Sequence, residues 1–480
     1  MNNALHLCRA TLLGSALIVI VGFGLKTATA QTCSGDDAAT ASFRQCLGSS
    51  GESYGSTCQL DPGVHQISCT LVIARNDISS ITGTEAAGPA DTVLQRASSS
   101  LDTILQDSRT AGAVALTVSY LTFDGNRYGS GLGLNCLPID YPNPLQDVDF
   151  RGAPNSVSLQ YDDFINAPDQ ELLLAGTDST VVWSNFSQGF GSESAAQTAT
   201  RRTAVWLYGN STGAYFNNIA FAGNAGVHLD ASGTQQYIYG NLLQQNRYEM
   251  PDGIEGGQIY IDESATYASV AGNVINGNYW YTEPGGTIPG TGCPVPSSED
   301  SLQTPGGTET YGYGHRFYNN EIEQHTGWGM GFSGSAPTGS ITISSTNPWD
   351  SSDAPRYIED NLAGGIMFLG QSGGPDYGAQ PYGTTDVTLD DVLVQNNGAS
   401  GWGANGGIWL DTVTGPGFTC SMCSGGSPAS AACMSGNYTS DIINDSGSSS
   451  LSTPFPATLS YYWNGVSGAC PASGSQTPAP

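Results

Sequence analysis

The sequence predicts an all-β protein built as a right-handed parallel β-helix, on the basis of two repeated phrases and the composition. The first phrase is a polar pair ending in Asn or Asp and followed by apolar residues, and it recurs at intervals of 22 to 47 residues. A short basic repeat with irregular additions is typical of a solenoid whose coils share a core and differ in loop length. The repeated polar residues are Asp163, Asn185, Asn218, Asn241, Asn273, Asn320, Asn361 and Asp391.

The second phrase consists of alternating apolar residues that end in Asp. It reads GVHLD at 226–230, QIYID at 258–262 and GIWLD at 407–411. Strict alternation indicates a strand in which every second side chain points inward. Short strands separated by turns, with no helical stretch between them, favour a β-helix in which stacked Asn side chains hydrogen-bond along a turn.

The composition agrees with this fold. Glycine accounts for 64 of the 480 residues, and charged residues make up 11%. Such a chain is poor in helix formers and rich in turn and strand residues. Because each coil of a solenoid rests on its neighbours, a single core can extend over a chain of this length.

The chain divides into three regions. Residues 1–30 have an Arg, an apolar run and an Ala-Thr-Ala cleavage site, which predict a signal peptide. Residues 31–415 are the predicted β-helix with its N-terminal cap, with the clearest coils in 118–415. Residues 416–480 are a Cys-, Gly- and Ser-rich appendage with a disordered end. A long connection, 283–311, interrupts the repeat.

The signal peptide predicts a secreted or periplasmic protein with no membrane insertion, since no second apolar run approaches about 18 residues. Ten cysteines remain after its removal, and an even number in an exported chain predicts disulfides. Cys33 with Cys46 and Cys58 with Cys69 are the expected local pairs. We interpret Cys420 and Cys423 as structural also, because no matching Cys/His pair accompanies them.

Charge excludes some partners. Loss of the signal peptide would leave 11 basic and 42 acidic residues, a formal net charge of −31. This charge repels nucleic acid and anionic membranes, and also a polyanionic polysaccharide unless divalent cations bridge the two. Adaptation to an acidic exterior is an alternative reason for the charge.

The chain resembles the pectate-lyase-like family of secreted right-handed parallel β-helix proteins. The resemblance is carried by LDPGVHQIS, ISSITG, LTFDGNR and the Asn-centred repeats, over roughly residues 55–415. It implies a carbohydrate-active protein that binds a polysaccharide along the outside of its parallel strands. We also expect the protein to be a monomer. The family's active-site motifs are not reproduced. Arg-x-Pro-x-x-Arg is absent, no Lys follows residue 26, and Gly314-His315-Arg316 is the nearest match to the polygalacturonase Gly-His-Gly.

The second phrase provides the candidate site. If its strands stack in register, His228 and Tyr260 lie side by side on the exterior, Trp206 extends their column, and Asp230 and Asp262 are neighbours in the next column. Stacked strands lie about 4.8 Å apart, close to the separation of about 5 Å between the carboxyl groups of retaining glycosidases. Two close carboxylates raise one pKa and so provide an acid and a base. Alternatively, each Asp merely begins a turn.

Two further pairs are candidates. His315 and Arg316 follow the long connection and would act as a base and a carboxylate clamp, or have a structural role. Arg247 and Tyr248 begin an insertion and would line a groove or accompany a Ca²⁺ ion, although the spacing matches no established calcium loop. No metal ligand is predicted.

The sequence therefore favours an exported glycoside hydrolase acting on a neutral or weakly acidic polysaccharide, with Asp230 and Asp262 as the catalytic pair and His228 modulating them. A Ca²⁺-dependent polysaccharide lyase using Arg316 or Arg247 is one alternative. A non-catalytic glycan-binding or adhesive solenoid is another.

Overall fold

The computed structural model describes residues 33–48, 54–85, 91–126, 146–187, 203–246, 257–277, 305–333, 341–349, 354–369, 387–399 and 406–411, with gaps of up to three residues inside some ranges. Beyond residue 411 it describes short segments up to Gln476. Within the described part, no helix is long and apolar enough to span a membrane.

The predicted parallel β-helix is confirmed. The chain passes through a first, a second and a third sheet in each coil, and each strand pairs in parallel with the equivalent strand of the neighbouring coil. The first and second sheets have 12 strands each and the third has 14. In the coils from Leu116 to Tyr318, two residues connect the first sheet to the second at each corner.

The strands of the first sheet are Thr57–Gln59, Ser80–Thr82, Leu116–Ser119, Val157–Gln160, Thr180–Val182, Gly213–Tyr215, Tyr237–Tyr239, Ser269–Ala271, Arg316–Tyr318, Ile341–Ser344, Val387–Asp390 and Gly417–Thr419. Those of the second sheet are Gly63–Ile67, Thr92–Arg96, Thr122–Asp124, Asp163–Ile165, Asn185–Ser187, Asn218–Ala220, Leu242–Gln244, Val274–Asn276, Glu321–Glu323, Tyr357–Glu359, Leu393–Gln395 and Met434–Ser435.

The strands of the third sheet are Leu71–Ile73, Thr103–Asp107, Gln146–Phe150, Gln170–Leu174, Val205–Leu207, Val227–Leu229, Ile259–Ile261, Pro305–Thr310, Trp328–Ser333, Gly364–Leu369, Gly406–Asp411, Ile442–Asn444, Ser460–Trp463 and Val466–Ala469. The last two of these pair antiparallel, as do Leu451–Ser452 and Ser475–Gln476.

The core fills the space between the three sheets. Inward side chains of each strand are almost all apolar and fully buried, as the alternation predicts. Equivalent residues of successive coils stack on one another. For example, Phe164 lies between Phe123 and Phe186, with ring centroids 5.1 and 4.5 Å apart. The stacked aromatic rings contribute packing energy beyond the burial of their area.

A helix, Ala38–Gly48, covers the N-terminal end of the solenoid. Asp37 caps it, since its Oδ1 accepts a hydrogen bond from the Thr40 backbone N–H at 2.7 Å. Phe43 and Leu47 on its inner face are buried in the core. The helix therefore closes the apolar end that the first coil would otherwise expose.

The predicted disulfide pairs at this end are wrong. The structure joins Cys33 to Cys69 and Cys46 to Cys58. Cys46 lies near the end of the helix, and packing of this helix on the first strands brings Cys46 next to Cys58 rather than Cys33. Both bridges tie the helical cap to the first strands. The other six cysteines of the mature chain lie outside the described residues, as does the predicted signal peptide.

A buried Asn ladder occupies the corner between the first and second sheets. The Oδ1 of Asn241 accepts a hydrogen bond from the Asn217 backbone N–H at 2.9 Å, and its Nδ2 donates to the Ala214 carbonyl at 2.9 Å. Asn273 and Asn320 repeat this pattern in the next two coils. The prediction of an Asn ladder is thus confirmed at Asn241, Asn273 and Asn320.

At the three earlier positions the predicted ladder residues are wrong. In three earlier coils the buried member is one residue earlier, at Asp162, Ser184 and Asn217, while Asn185 and Asn218 are exposed. A polar pair in sequence does not show which of its two members faces inward.

Asn361 belongs to a second ladder, at the corner between the second and third sheets. Asn361 accepts from the His325 N–H, and Asn397 accepts from the Asn361 N–H, both at 3.1 Å. Asp391 lies outside the described residues.

The long connection predicted at 283–311 is partly wrong, since Pro305–Thr310 is a strand of the third sheet. Its Pro, Gly and Thr content conceals the alternation. Beyond residue 415, Gly417–Thr419, Met434–Ser435 and Ile442–Asn444 add one strand each to the three sheets.

Candidate active site on the outer face of the third sheet

The predicted exterior column is present on the third sheet. Trp206 pairs with His228 and His228 with Tyr260 in adjacent strands, so no register slip occurs in this part of the sheet. The His228 ring stacks on Trp206 with centroids 4.6 Å apart and planes within 9°. Tyr260 meets the other face of His228 edge-on, at 4.8 Å.

This column is less exposed than the sequence predicts. His228 is 1% exposed and Tyr260 7%, although both lie on the outward face. Two tyrosines of the neighbouring outer row account for part of this burial. Tyr208 stacks on Trp206 at 4.8 Å, and Tyr311 packs against Tyr260 at 5.9 Å. The column therefore lies behind the outer row, in which Tyr208 is partly exposed and Tyr311 is itself buried.

That outer row contains the two predicted aspartates. The backbone N–H groups of Asp230 and Asp262 donate to Leu207 and Leu229 carbonyls at 3.0 and 3.1 Å, which are equivalent bonds in adjacent coils. The two aspartates are thus neighbours along the helix axis, as predicted. Both are partly exposed, with 29% of the Asp262 side chain accessible.

Tyrosines flank the aspartates in the same row. The Tyr208 N–H donates to the third-sheet strand before it at 2.7 Å, and the Tyr311 N–H donates to Ile261 at 3.0 Å. The order along the axis is therefore Tyr208, Asp230, Asp262, Tyr311. Sequence alone missed both tyrosines, because each stands where the repeated phrase ends in Asp.

His228 lies behind Asp262. Its Nε2 is 3.8 Å from Asp262 Oδ2, and this nitrogen has no hydrogen-bond partner among the described residues. The separation is slightly longer than a hydrogen bond, so a small movement of Asp262 would form one. His228 thus lies next to Asp262 and does not reach the exterior.

Arg151 extends the row toward the N-terminus. It holds Asp149 with two contacts, Nε to Oδ1 at 3.1 Å and Nη2 to Oδ2 at 2.8 Å, while 45% of its side chain stays exposed.

Burial raises the pKa of Tyr208, an effect that Arg151 opposes and Asp230 reinforces. Tyr208 therefore stays a neutral hydrogen-bonding group next to Asp230.

Three buried acids on the same face were not predicted. Burial raises the pKa of Asp147 to about 7, although Arg96 Nη2 lies 3.1 Å from its Oδ1. Glu171, in the adjacent coil, is fully buried and its pKa is raised well above the ordinary value by burial and by Asp147. Glu309 is buried beside Tyr260 and accepts a hydrogen bond from the Tyr311 hydroxyl at 2.8 Å.

A weak signal existed for two of these acids. QDVDF and QELLL each place an acid at an outward position of an apolar strand, a position that alternation identifies. Glu309 falls in the connection that the sequence concealed. These acids are too buried to contact a substrate, and they place polar atoms behind the outer row.

The remaining predicted site residues are not brought to this row. His315 is fully buried at the start of a first-sheet strand, where its Nε2 donates to the Tyr311 carbonyl at 2.7 Å. Burial lowers its pKa to about 4. Arg316 is exposed on the outward face of the first sheet. Arg247 and Tyr248 lie outside the described residues.

Metal ligands are not clustered in the described part of the chain. No three His, Cys, Asp or Glu side chains there come together as they would around a metal ion.

A second group of acids lies on the outer face of the second sheet. A cleft of about 340 Å³ is lined by Glu321, Arg356 and Glu359 among others. Burial and neighbouring acids raise the pKa of Glu323 there. However, Asn276 donates to Glu323 at 2.7 Å and Gln395 to Glu359 at 2.5 Å, so these carboxylates already have partners in a cross-strand ladder. Such pairs stabilise a sheet.

Comparison with known proteins gives low similarity. No protein-family model matches the chain, and no curated protein matches it. Solved structures that it resembles include ORF18 of Geobacillus virus E2, at 10% identity, over 67% of this chain and 51% of the viral one, with a TM-score of 0.31. This chain thus spans about half the length of the viral protein.

Two enzymes are also similar. Pectate lyase Pel9A matches at 15% identity over 57% of this chain and 72% of its own, with a TM-score of 0.28. The catalytic domain of a GH87 alpha-1,3-glucanase in complex with nigerose matches at 11% identity over 87% of this chain and 64% of its own, with a TM-score of 0.30. Scores of this size say nothing about the activity of this chain, and its fold rests on its own strand pairing.

Proposed function

We propose that this protein is a carbohydrate-active enzyme that hydrolyses glycosidic bonds of a neutral or weakly acidic polysaccharide. The observation that carries the proposal is that Asp230 and Asp262, two partly exposed carboxylates, lie in register beside the partly exposed Tyr208. A polysaccharide running along the helix axis would meet all three. Tyr208 would bind a sugar ring next to the bond that the aspartates cleave, and the buried Tyr311 would support the other end of the row.

The spacing of the coils favours a retaining reaction. Strands in adjacent coils lie about 4.8 Å apart, near the separation of about 5 Å at which one carboxylate acts as nucleophile. One carboxyl group would donate its proton to the glycosidic oxygen as that bond breaks, while the other attacks the anomeric carbon. In the second step, a water molecule would attack the anomeric carbon and release the sugar from the nucleophile. The carboxyl group that acted first as acid would now act as base and take a proton from this water.

His228 suggests how the two roles are divided. Because its Nε2 lies 3.8 Å from Asp262 Oδ2, a small movement would let it donate a hydrogen bond to that carboxylate and hold it in place. Asp262 is therefore the proposed nucleophile. Asp230, beside the neutral hydroxyl of Tyr208, is the proposed acid and base.

The lengths of the connections support a site on this face. In the coils around the row, the chain between Gln244 and Ile259 and that between Asn276 and Pro305 lead into the third sheet, whereas the corner between the first two sheets keeps two residues. Insertions in repeat proteins commonly collect on the binding face. Charge supports an uncharged ligand, since a net charge of −29 repels a polyanion.

A panel of purified polysaccharides tests the proposal. The protein is incubated with each, and both new reducing ends and the ultraviolet absorbance of unsaturated products are measured. Reducing ends without unsaturated products are the expected result. Unsaturated products would replace the proposal with a lyase, and retention on a glycan without cleavage would replace it with a binding protein.

A further inference from the structure

A stack of aromatic side chains runs along the outside of the corner between the first and second sheets. Tyr120, Tyr161, Trp183 and Phe216 occupy the same position in four successive coils. Their ring centroids are 5.3, 5.2 and 6.2 Å apart, with planes within 17° of parallel. Tyr161 is 38% exposed, Trp183 51% and Phe216 47%. This surface is called the corner stack below.

The backbone of the corner stack is unfavourable for these residues. All four have positive φ, between 50° and 58°. Bulky side chains rarely adopt this conformation, which is strained for them. The corner itself requires it, because Gly240 and Gly272 occupy the equivalent positions in the next two coils, also with positive φ.

Other corners of the same fold use residues suited to this conformation. Between the second and third sheets, Asn166, Asp360 and Asn396 have positive φ, as expected for short polar side chains. The aromatic residues of the corner stack are therefore not dictated by the backbone. Stacking between neighbouring rings stabilises the arrangement and offsets part of this strain.

The surroundings of the corner stack are polar, and Glu85 accepts a hydrogen bond from the Tyr120 hydroxyl at 3.4 Å at its N-terminal end. The row beside it on the first sheet is Ser119, Gln160, Val182 and Tyr215, and the row on the second sheet is Thr122, Asp163, Asn185 and Asn218. Within these two rows Asp163 is the only ionisable acid, and it accepts a hydrogen bond from Asn185 at 2.7 Å. The exposed amides can hydrogen-bond to sugar hydroxyl groups, and the apolar aromatic strip can pack against the C–H faces of the sugar rings.

We propose that the corner stack is a second carbohydrate-binding surface, which holds an extended, uncharged polysaccharide chain parallel to the helix axis. Successive rings repeat at about the length of one sugar unit of such a chain, so consecutive sugars meet equivalent rings. The third sheet does not border this corner, and binding there is separate from the candidate active site. The proposal deepens the proposed function and shares its substrate class, but it needs no catalysis.

Binding to insoluble polysaccharides tests this. The full-length protein is mixed with cellulose, chitin, alpha-1,3-glucan and starch granules, and the fraction left in solution is measured at low and high salt. The test variant is Trp183→Asn, since Asn accepts the corner conformation elsewhere in the chain and the fold is retained. The matched control is Tyr267→Asn, which removes a 51% exposed aromatic residue with φ 56° from a different corner.

The expected result is salt-independent binding to at least one polysaccharide, weakened at least about tenfold by Trp183→Asn and unchanged by Tyr267→Asn. Equal binding of wild type and Trp183→Asn, absence of binding to all four, or a change in oligomeric state caused by Trp183→Asn would overturn the proposal. Asp262→Asn separates it from the proposed function, because that variant should lose cleavage and keep binding.

Discussion

At the corner between the first and second sheets, one side chain per coil completes the backbone hydrogen bonding of the coil before it. Asn217 does so with an oxygen that accepts from the Ser184 N–H and a nitrogen that donates to the Val181 carbonyl. Asp162 occupies this position one coil earlier than Ser184, and its Oδ1 accepts from the Leu121 N–H at 3.0 Å. Its Oδ2 is buried without a partner among the described residues.

Replacement of Asp162 with Asn should stabilise the protein. Burial raises the pKa of Asp162 well above its ordinary value, so the folded state loses stability as the pH rises above about 4, the value in the unfolded chain. Asn carries no such penalty, and its Nδ2 would donate to the Val118 carbonyl as in the other coils. We expect a gain of about 1–3 kcal/mol near neutral pH, measured by denaturant unfolding.

The control for this change is Asp163→Asn, since Asp163 lies on the outer side of the same corner. It should alter stability little. A loss of stability in Asp162→Asn, or a gain that does not shrink toward pH 3.8, would contradict this account of the ladder.

His315 should make the protein less stable in acid. In the neutral form of the ring, Nε2 donates to the Tyr311 carbonyl and Nδ1 accepts from the Ala268 N–H at 3.2 Å. A second proton would have to be added to Nδ1, where it would point at the Ala268 N–H. Its pKa is lowered from 6.5 to about 4, which means that its contribution is complete above pH 6.5 and is lost as the pH falls toward 4. The loss amounts to about 3 kcal/mol.

The measurement compares wild type with His315→Gln, because other titrating groups cancel in the difference. The stability advantage of wild type should shrink by about 3 kcal/mol between neutral pH and pH 4. A constant difference over that range would show that His315 accepts a proton without penalty.

Among the structural elements, the ladder corner holds the coils in register. Asn241→Leu removes the acceptor for the Asn217 N–H and the donor to Ala214, and leaves both backbone groups buried. We expect a loss of a few kcal/mol in the free energy of unfolding. Asn218→Leu is the control, because Asn218 is exposed one residue from the ladder. Equal losses of stability in the two variants would mean that the hydrogen bonds of the ladder do not stabilise the fold.

Sequence predicted the strands better than the corners. Alternation in GVHLD and QIYID gave the inward side chains and the register of Trp206, His228 and Tyr260, because side-chain direction has a strict period of two in a strand. The corners have no such period. The phrases YDDFI and WSNF each contain two polar residues, and only the left-handed residue before them decides which faces inward.

In the candidate site also, sequence predicted the residues that follow the repeated phrase and missed those that do not. Asp230 and Asp262 were predictable because they end a repeated phrase. Tyr208 and Tyr311 complete the row from strands that break the phrase, and Glu309 lies in a strand masked by Pro and Gly. The burial of His228 follows from contacts between coils, which a single phrase does not contain.

At the scale of the whole molecule, the three sides of the solenoid have different roles. The third sheet carries the row of aspartates and receives the longest connections, the second sheet carries a satisfied ladder of acids and amides, and the corner opposite the third sheet carries the exposed aromatic stack. Because each coil rests only on its neighbours, side chains on one face change with little effect on the others. One stable scaffold thus supports separate surfaces.

The most direct test of the account is the turnover of Asp230→Asn and Asp262→Asn on the polysaccharide that the wild-type protein cleaves. Each change should lower the rate at least about a hundredfold, the usual effect of losing a general acid or base, and leave the unfolding midpoint unchanged because both side chains are partly exposed. Asp178→Asn, an exposed change at another corner, should leave turnover unaltered. Wild-type turnover in both site variants would contradict the account and place the chemistry elsewhere.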